Sequence, residues 1–268
     1  MQKETVNQSL RALVFSAALI FAGVPAFAGK VMISGQDADD SGHVSQAFGA
    51  QMLDFLASGN TNGGTGILIL GGYTGTSAST INSWNALATE SLTAASGAGA
   101  ISSATFGTFA GILMPSASTQ TAGGMTQAEL NAINARATDI ANFVNSGGNL
   151  LAFTEQGLTG AFGWFPLGAL LTTPISTSNV SQTPALAAAG FTATNAEISG
   201  DLYHNEFDGP AGFFGLSVLA INNNTGDAVI LGGGTTTQIT VPEPGLLGLI
   251  GFGLAAVGFV RRRRTAQA

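Results

Sequence analysis

Two short stretches concentrate the side chains able to do chemistry. The first is Asp37-Ala38-Asp39-Asp40-Ser41-Gly42-His43, three carboxylates and an imidazole in one polar turn. Asp37, Asp39, Ser41 and Gly42 follow the spacing that opens an EF-hand calcium loop. The match stops at Phe48, where that loop needs a bidentate glutamate. Asp37, Asp39 and Asp40 are therefore candidates for a looser site that takes Ca2+ or another divalent cation, or for glycan binding. The same residues also suit a solvated turn whose oxygens cap a helix N-terminus. The second stretch is Tyr203-His204-Asn205-Glu206. An imidazole beside a carboxylate can act as a general base, with the carboxylate fixing its tautomer. Together with Glu155, His204 and Glu206 would make an acid/base group for hydrolysis. A polar loop with His204 satisfied by a backbone carbonyl accounts for them equally.

Other chemistries are excluded. There is no cysteine, hence no disulfide framework, thiolate metal site or cysteine nucleophile. No Gly-x-Ser-x-Gly elbow occurs, and the Gly63-Gly64 and Gly71-Gly72 turns lack the lysine and spacing of a phosphate-binding loop. Trp164, flanked by Gly163, is either a core residue or a platform for a sugar ring.

Charge narrows the partners. Of 8 basic residues against 15 acidic ones, only Lys30 and Arg136 fall in residues 29–240, where 13 acids remain. That segment carries a net charge of −11. Nucleic acid is not a partner for such a surface, while divalent cations are attracted to it. With 45% hydrophobic residues the chain still has the means to build a core.

The elements that must position these groups read as an α/β domain over residues 29–233. A strand over 30–36 leads into the acidic turn. Val44, Ala47, Phe48, Met52, Phe55 and Leu56 then recur at helical spacing. Ile67-Leu68-Ile69-Leu70 reads as a buried strand, and residues 79–94 as a helix. A third strand centres on 109–114 and is ended by Pro115-Ser116. A capping box at Thr126 and Glu129 opens one long helix, striped by Leu130, Ile133, Ala137, Ile140, Ala141 and Val144 and stopped at Gly147-Gly148. Asn149 to Phe153 is a fourth strand. Residues 157–200 are irregular, and 213–221 and 227–232 form two closing antiparallel strands. This order predicts a doubly wound, flavodoxin-like, mostly parallel sheet flanked by helices. Residues 234–240 form a linker.

Both ends read as address labels. Lys3 and Arg11, an apolar run over 12–24 and Ala26-Phe27-Ala28 predict a signal peptide, residues 1–28, cut after Ala28. At the other end, Val241-Pro242-Glu243-Pro244 precedes an apolar stretch over 245–260 and the basic cluster Arg261, Arg262, Arg263 and Arg264. Sixteen helical residues reach about 24 Å, a short transmembrane helix, and the arginines stay cytoplasmic. This 241–268 arrangement resembles the PEP-CTERM sorting signal. The resemblance implies a Gram-negative bacterium, an exosortase that recognises the Val241–Pro244 motif, and an exported envelope or extracellular protein linked to exopolysaccharide and biofilm. Signal peptidase, the Sec machinery and a transient hold in the inner membrane follow from it.

A second resemblance concerns the middle. Phe143-Val144-Asn145-Ser146-Gly147-Gly148-Asn149-Leu150-Leu151 resembles the helix–Gly-Gly–strand step of class I glutamine-amidotransferase-like and trehalose-utilisation-like domains. Thr154-Glu155-Gln156-Gly157 then matches the nucleophile elbow, and His204-Asn205-Glu206 the later His-x-Glu. The elbow lacks the family's cysteine, so the resemblance implies the fold without thiolate chemistry. It leaves three functions open: a non-catalytic binding or structural module, a hydrolase-like enzyme using His204, and a calcium- or glycan-binding module.

Overall fold

The computed structural model describes residues 29–117, 122, 124–154, 157–165, 171–200, 202–208 and 215–234. Five parallel strands form its centre. These are β1 (Lys30–Ser34), β2 (Ile67–Leu70), β3 (Leu92–Ala95), β4 (Gly111–Ala117) and β5 (Asn149–Thr154), ordered β3-β2-β4-β5-β1. β2, β4 and β5 are buried along their whole length, as continuous apolar runs covered on both faces must be. On the far side of β1 the sheet turns antiparallel. β10 (Ala228–Gly234) pairs with β1, and β6 (Leu171–Thr177), β7 (Val180–Gln182), β8 (Tyr203–Asp208) and β9 (Ser217–Asn222) complete a ten-stranded mixed sheet.

Strand order decides which face each helix covers. From β1 to β2 to β3 the chain moves one way across the sheet, and α1 (Gln46–Ala57) and α2 (Gly75–Ala88) lie on one face. From β3 to β4 to β5 it moves back, and α3 (Ala98–Ser103), α4 (Gln127–Asn134) and α5 (Ala137–Asn145) lie on the other. Right-handed crossovers require this switch. Two cores result. Phe48, Met52, Leu53, Ile81 and Trp84 fill the first with Leu186 of α6 (Pro184–Ala188) and Ile198 of α7 (Asn195–Ile198). Ile101, Leu130, Ile133, Ile140 and Val144 fill the second with Phe162 and Trp164. Trp164 is therefore a core residue, 2% exposed.

The architecture departs from the sequence reading in instructive places. The first strand sits beside β5 at the border of the parallel block, not inside it as in the flavodoxin-like order. The helix read over 79–94 ends at Ala88, because Thr89 takes a left-handed conformation at φ 62° and Asn85 bonds both backbone groups of Glu90. The short edge strand β3 follows, with exposed Thr93 and Ala94 and little hydrophobic signal. β4 runs through Pro115 to Ala117. Proline is tolerated there because β2 pairs with β4 only as far as Leu113 and a register shift separates Met114 from Ala117 on the β5 side. The single helix read from Thr126 breaks into α4 and α5 at Ala135–Arg136. The break lets Arg136 donate to the carbonyls of Ile101 (2.8 Å) and Ala104 (2.6 Å) and stack on Phe106. Residues 203–208, read as a polar loop, are strand β8. The signal-peptide helix, the linker beyond 234 and the 245–260 span lie outside the described residues; no helix among the described residues is long and apolar enough to cross a membrane.

Candidate functional site

The acidic turn leaves β1 at the carboxyl edge of the parallel strands, where open α/β sheets place their ligands. Two successive backbone bonds, one short and one long, curl it back on itself. Asp40 N–H donates to the Asp37 carbonyl at 2.8 Å, and His43 N–H donates to the Asp40 carbonyl at 3.5 Å. The Gln36 amide holds the His43 carbonyl at 3.2 Å. Ser45 then caps α1, its Oγ accepting from Phe48 N at 3.0 Å. The curl swings His43 over Asp37.

His204 reaches the same point from β8. Its backbone N–H and that of Asn205 both donate to the Gly35 carbonyl, at 2.8 and 3.0 Å. A side chain on residue 35 would collide with this approach, since a Cβ there would lie 1.9 Å from the Asn205 carbonyl oxygen. Glycine at 35 is thus the condition for His204 to meet β1. As a result, one oxygen, Asp37 Oδ1, faces His43 Nδ1 at 2.8 Å and His204 Nε2 at 3.3 Å. The Asp37 side chain is 3% exposed and both imidazoles 18%. Burial pushes the Asp37 carboxyl up, but the bonds from His204 and His43 outweigh it, and the net shift is downward. An ionised carboxylate only accepts, so both imidazoles donate N–H to it.

Asp39, two residues on, points elsewhere. Its carboxylate is fully buried between the ends of β2 and β4. Oδ1 accepts the Ser116 N–H at 3.0 Å and the Ser116 hydroxyl; Oδ2 accepts the Ser77 hydroxyl at 2.6 Å. β2 and β4 are adjacent strands whose following helices lie on opposite faces, so their carboxyl ends part to leave a crevice. That crevice is the usual ligand position of such sheets, and here the chain's own Asp39 fills it. Burial pushes the Asp39 carboxyl up, against the Ser116 and Ser77 bonds that lower it.

The sequence candidates are thus distributed over three places. Asp37, Asp40 and His43 bring ligand atoms within 4.8 Å of one another and could share a metal ion, whereas the Asp39 oxygens are engaged by Ser77 and Ser116. His43, not singled out as a ligand from sequence, takes the place expected of Asp39. His204 turns to Asp37, while Glu206 Oε2 accepts from Asn222 Nδ2 (2.9 Å) and the Thr225 hydroxyl (2.8 Å) at the β9–β10 turn. Glu206 also groups with Asp208 and Asp227, which are exposed. Glu155 lies outside the described residues, as do the sorting residues Val241, Pro242, Glu243, Pro244, Arg261, Arg262, Arg263 and Arg264. An open groove of about 670 Å³ runs beside the turn, lined by Ser41, Gln46, Thr76, Ser79, Thr80 and Ser83 among others.

No curated protein and no solved structure matches the chain, so the amidotransferase-like resemblance finds no counterpart there. One family model does match, over the C-terminal stretch that holds Val241–Pro244 and Arg261–Arg264. Residues 240–264 match the model of the PEP-CTERM protein-sorting motif, and such a motif implies export to the cell envelope or extracellular space and processing by an exosortase.

Proposed function

We propose that this chain is a non-catalytic binding or structural module of the cell envelope or biofilm matrix, with exopolysaccharide as its ligand. The observation that carries this reading is the sorting motif together with the hydroxyl-lined groove beside the Asp37–His43 turn. Ser41, Thr76, Ser79, Thr80 and Ser83 supply hydroxyls and Gln46 an amide, groups that exchange hydrogen bonds with sugar hydroxyls in either direction. Export runs through Sec and signal peptidase, and residues 245–260 hold the chain in the inner membrane until the exosortase acts. Affinity electrophoresis of the mature protein in gels containing the producer's exopolysaccharide tests the idea. Retarded migration is expected, weakened in a Thr80→Val, Ser83→Ala variant. Unretarded migration overturns it.

One observation favours a second reading, an extracytoplasmic hydrolase using His204 with Glu155 or Glu206. The Asp37 carboxylate fixes the ring of His204, as a catalytic imidazole requires. Depolymerisation of the exopolysaccharide by the mature protein, abolished by His204→Ala, would establish this reading in place of the first.

A further inference from the structure

We infer that Asp37, Asp40, His43 and His204 form a binding site for one divalent transition-metal ion of the zinc class. The inference is independent of the polysaccharide reading. Three of the four residues already present ligand atoms within 4.8 Å of one another. The fourth, His204, stands with Nε2 3.3 Å from Asp37 Oδ1. Four ligands about 2.1 Å from a zinc-class ion at tetrahedral corners lie about 3.4 Å apart. The separations from Asp37, 2.8 Å to His43 and 3.3 Å to His204, are close to that figure; the group within 4.8 Å holds Asp37, Asp40 and His43, so His204 moves in toward the other two on binding.

The donor set names the ion. Two imidazoles and two carboxylates make an N2O2 site, which suits zinc and its neighbours. Calcium takes six to eight oxygens, and the third aspartate that a calcium site would recruit, Asp39, is committed to Ser77 and Ser116 in the β2–β4 crevice. Two carboxylates with two neutral imidazoles also balance a doubly charged cation. The ligands are held from behind, His43 through its carbonyl by Gln36 and His204 through its N–H by Gly35. These bonds fix the backbone from which each ring projects. The site is also reachable: Asp40 is half-buried and both imidazoles keep some exposure.

Cobalt titration of the metal-stripped mature protein tests the site. One equivalent of Co2+ should bind with visible ligand-field absorption, be displaced by one equivalent of Zn2+, and withstand millimolar Ca2+. His43→Ala and His204→Ala should each weaken binding at least about tenfold. Asp39→Asn, outside the ligand set, should leave it unchanged. Asp40→Asn, at the exposed end of the turn, should also weaken binding and serves if a histidine variant fails to fold by circular dichroism. Absence of cobalt binding, displacement by calcium, or full affinity in a folded His43, His204 or Asp40 variant overturns the assignment.

Discussion

Asp39 Oδ1 accepts the backbone N–H of Ser116 at 3.0 Å, tying the turn after β1 to the end of β4 across 77 residues of sequence. The bond is buried, and so are Ser77 and Ser116, which hold the carboxylate. Replacing Asp39 by alanine leaves the Ser116 N–H and hydroxyl without this acceptor, while the Ser77 hydroxyl keeps the Gly72 carbonyl at 3.1 Å. Asp39→Ala should cost about 3 kcal/mol in urea unfolding. Asp39→Asn keeps one acceptor oxygen for the Ser116 N–H and should cost less than about 1 kcal/mol at neutral pH.

Asp37 and Asp39 should respond to pH in opposite senses. The Asp39 carboxyl is raised by burial, so its contribution to stability is full below the unfolded carboxylate value of about 3.9 and is lost as pH rises through the folded value. The Asp37 carboxyl is lowered, so its contribution is present above about 3.9 and is lost as pH falls through the folded value. Unfolding midpoints of wild type, Asp37→Asn and Asp39→Asn across pH separate the two. The gap between wild type and Asp37→Asn should close in acid. Wild type should lose ground to Asp39→Asn as pH rises.

Glu129 joins three loops at the start of α4. It completes a capping box with Thr126, accepting the Thr126 N–H at 2.9 Å, and its other oxygen accepts Gly97 N–H at 2.7 Å. Burial raises its carboxyl, and the backbone bonds from Thr126, Gly97 and Gly72 bring it below the ordinary value. Glu129→Ala should cost about 2 kcal/mol and Glu129→Gln about 1 kcal/mol by thermal or urea unfolding.

Tyr203 is fully buried and its hydroxyl has no hydrogen-bond partner among the described residues. Burial pushes the phenol up, so it stays neutral. An unmade buried bond is a standing cost, and Tyr203→Phe should stabilise the fold by about 1 kcal/mol. A destabilised Phe variant in the same unfolding assay would contradict this.

Exosortase processing has a direct signature. Intact-mass spectrometry of the exported protein should show the Arg261–Arg264 tail removed. An exported protein that still carries all four arginines would contradict processing at the Pro242–Pro244 motif.

Local patterns in the chain were legible where the physics is local. The Thr126–Glu129 capping box needs only residues within one helical turn, and it forms as read. Ile67–Leu70 and Asn149–Phe153 show strand character because full burial demands unbroken apolar runs. Punctuation rules failed where pairing overrode them. Pro115 ends a strand only if its missing N–H is needed, and β2 has stopped pairing before it. β3 and β8 carry little apolar alternation, so only their neighbours define them.

The sequence by itself determined the chemistry on offer and the destination: carboxylates and imidazoles without a thiol, on an acidic domain addressed for export by residues 240–264. Which groups meet was decided by tertiary structure alone. His204 reaches Asp37 because β8 lies against the end of β1, and Asp39 is drawn away because the β2–β4 crevice offers it three donors. Residue type is written in the chain, but a hydrogen bond depends on distance, and strand order sets the distances between residues far apart in sequence.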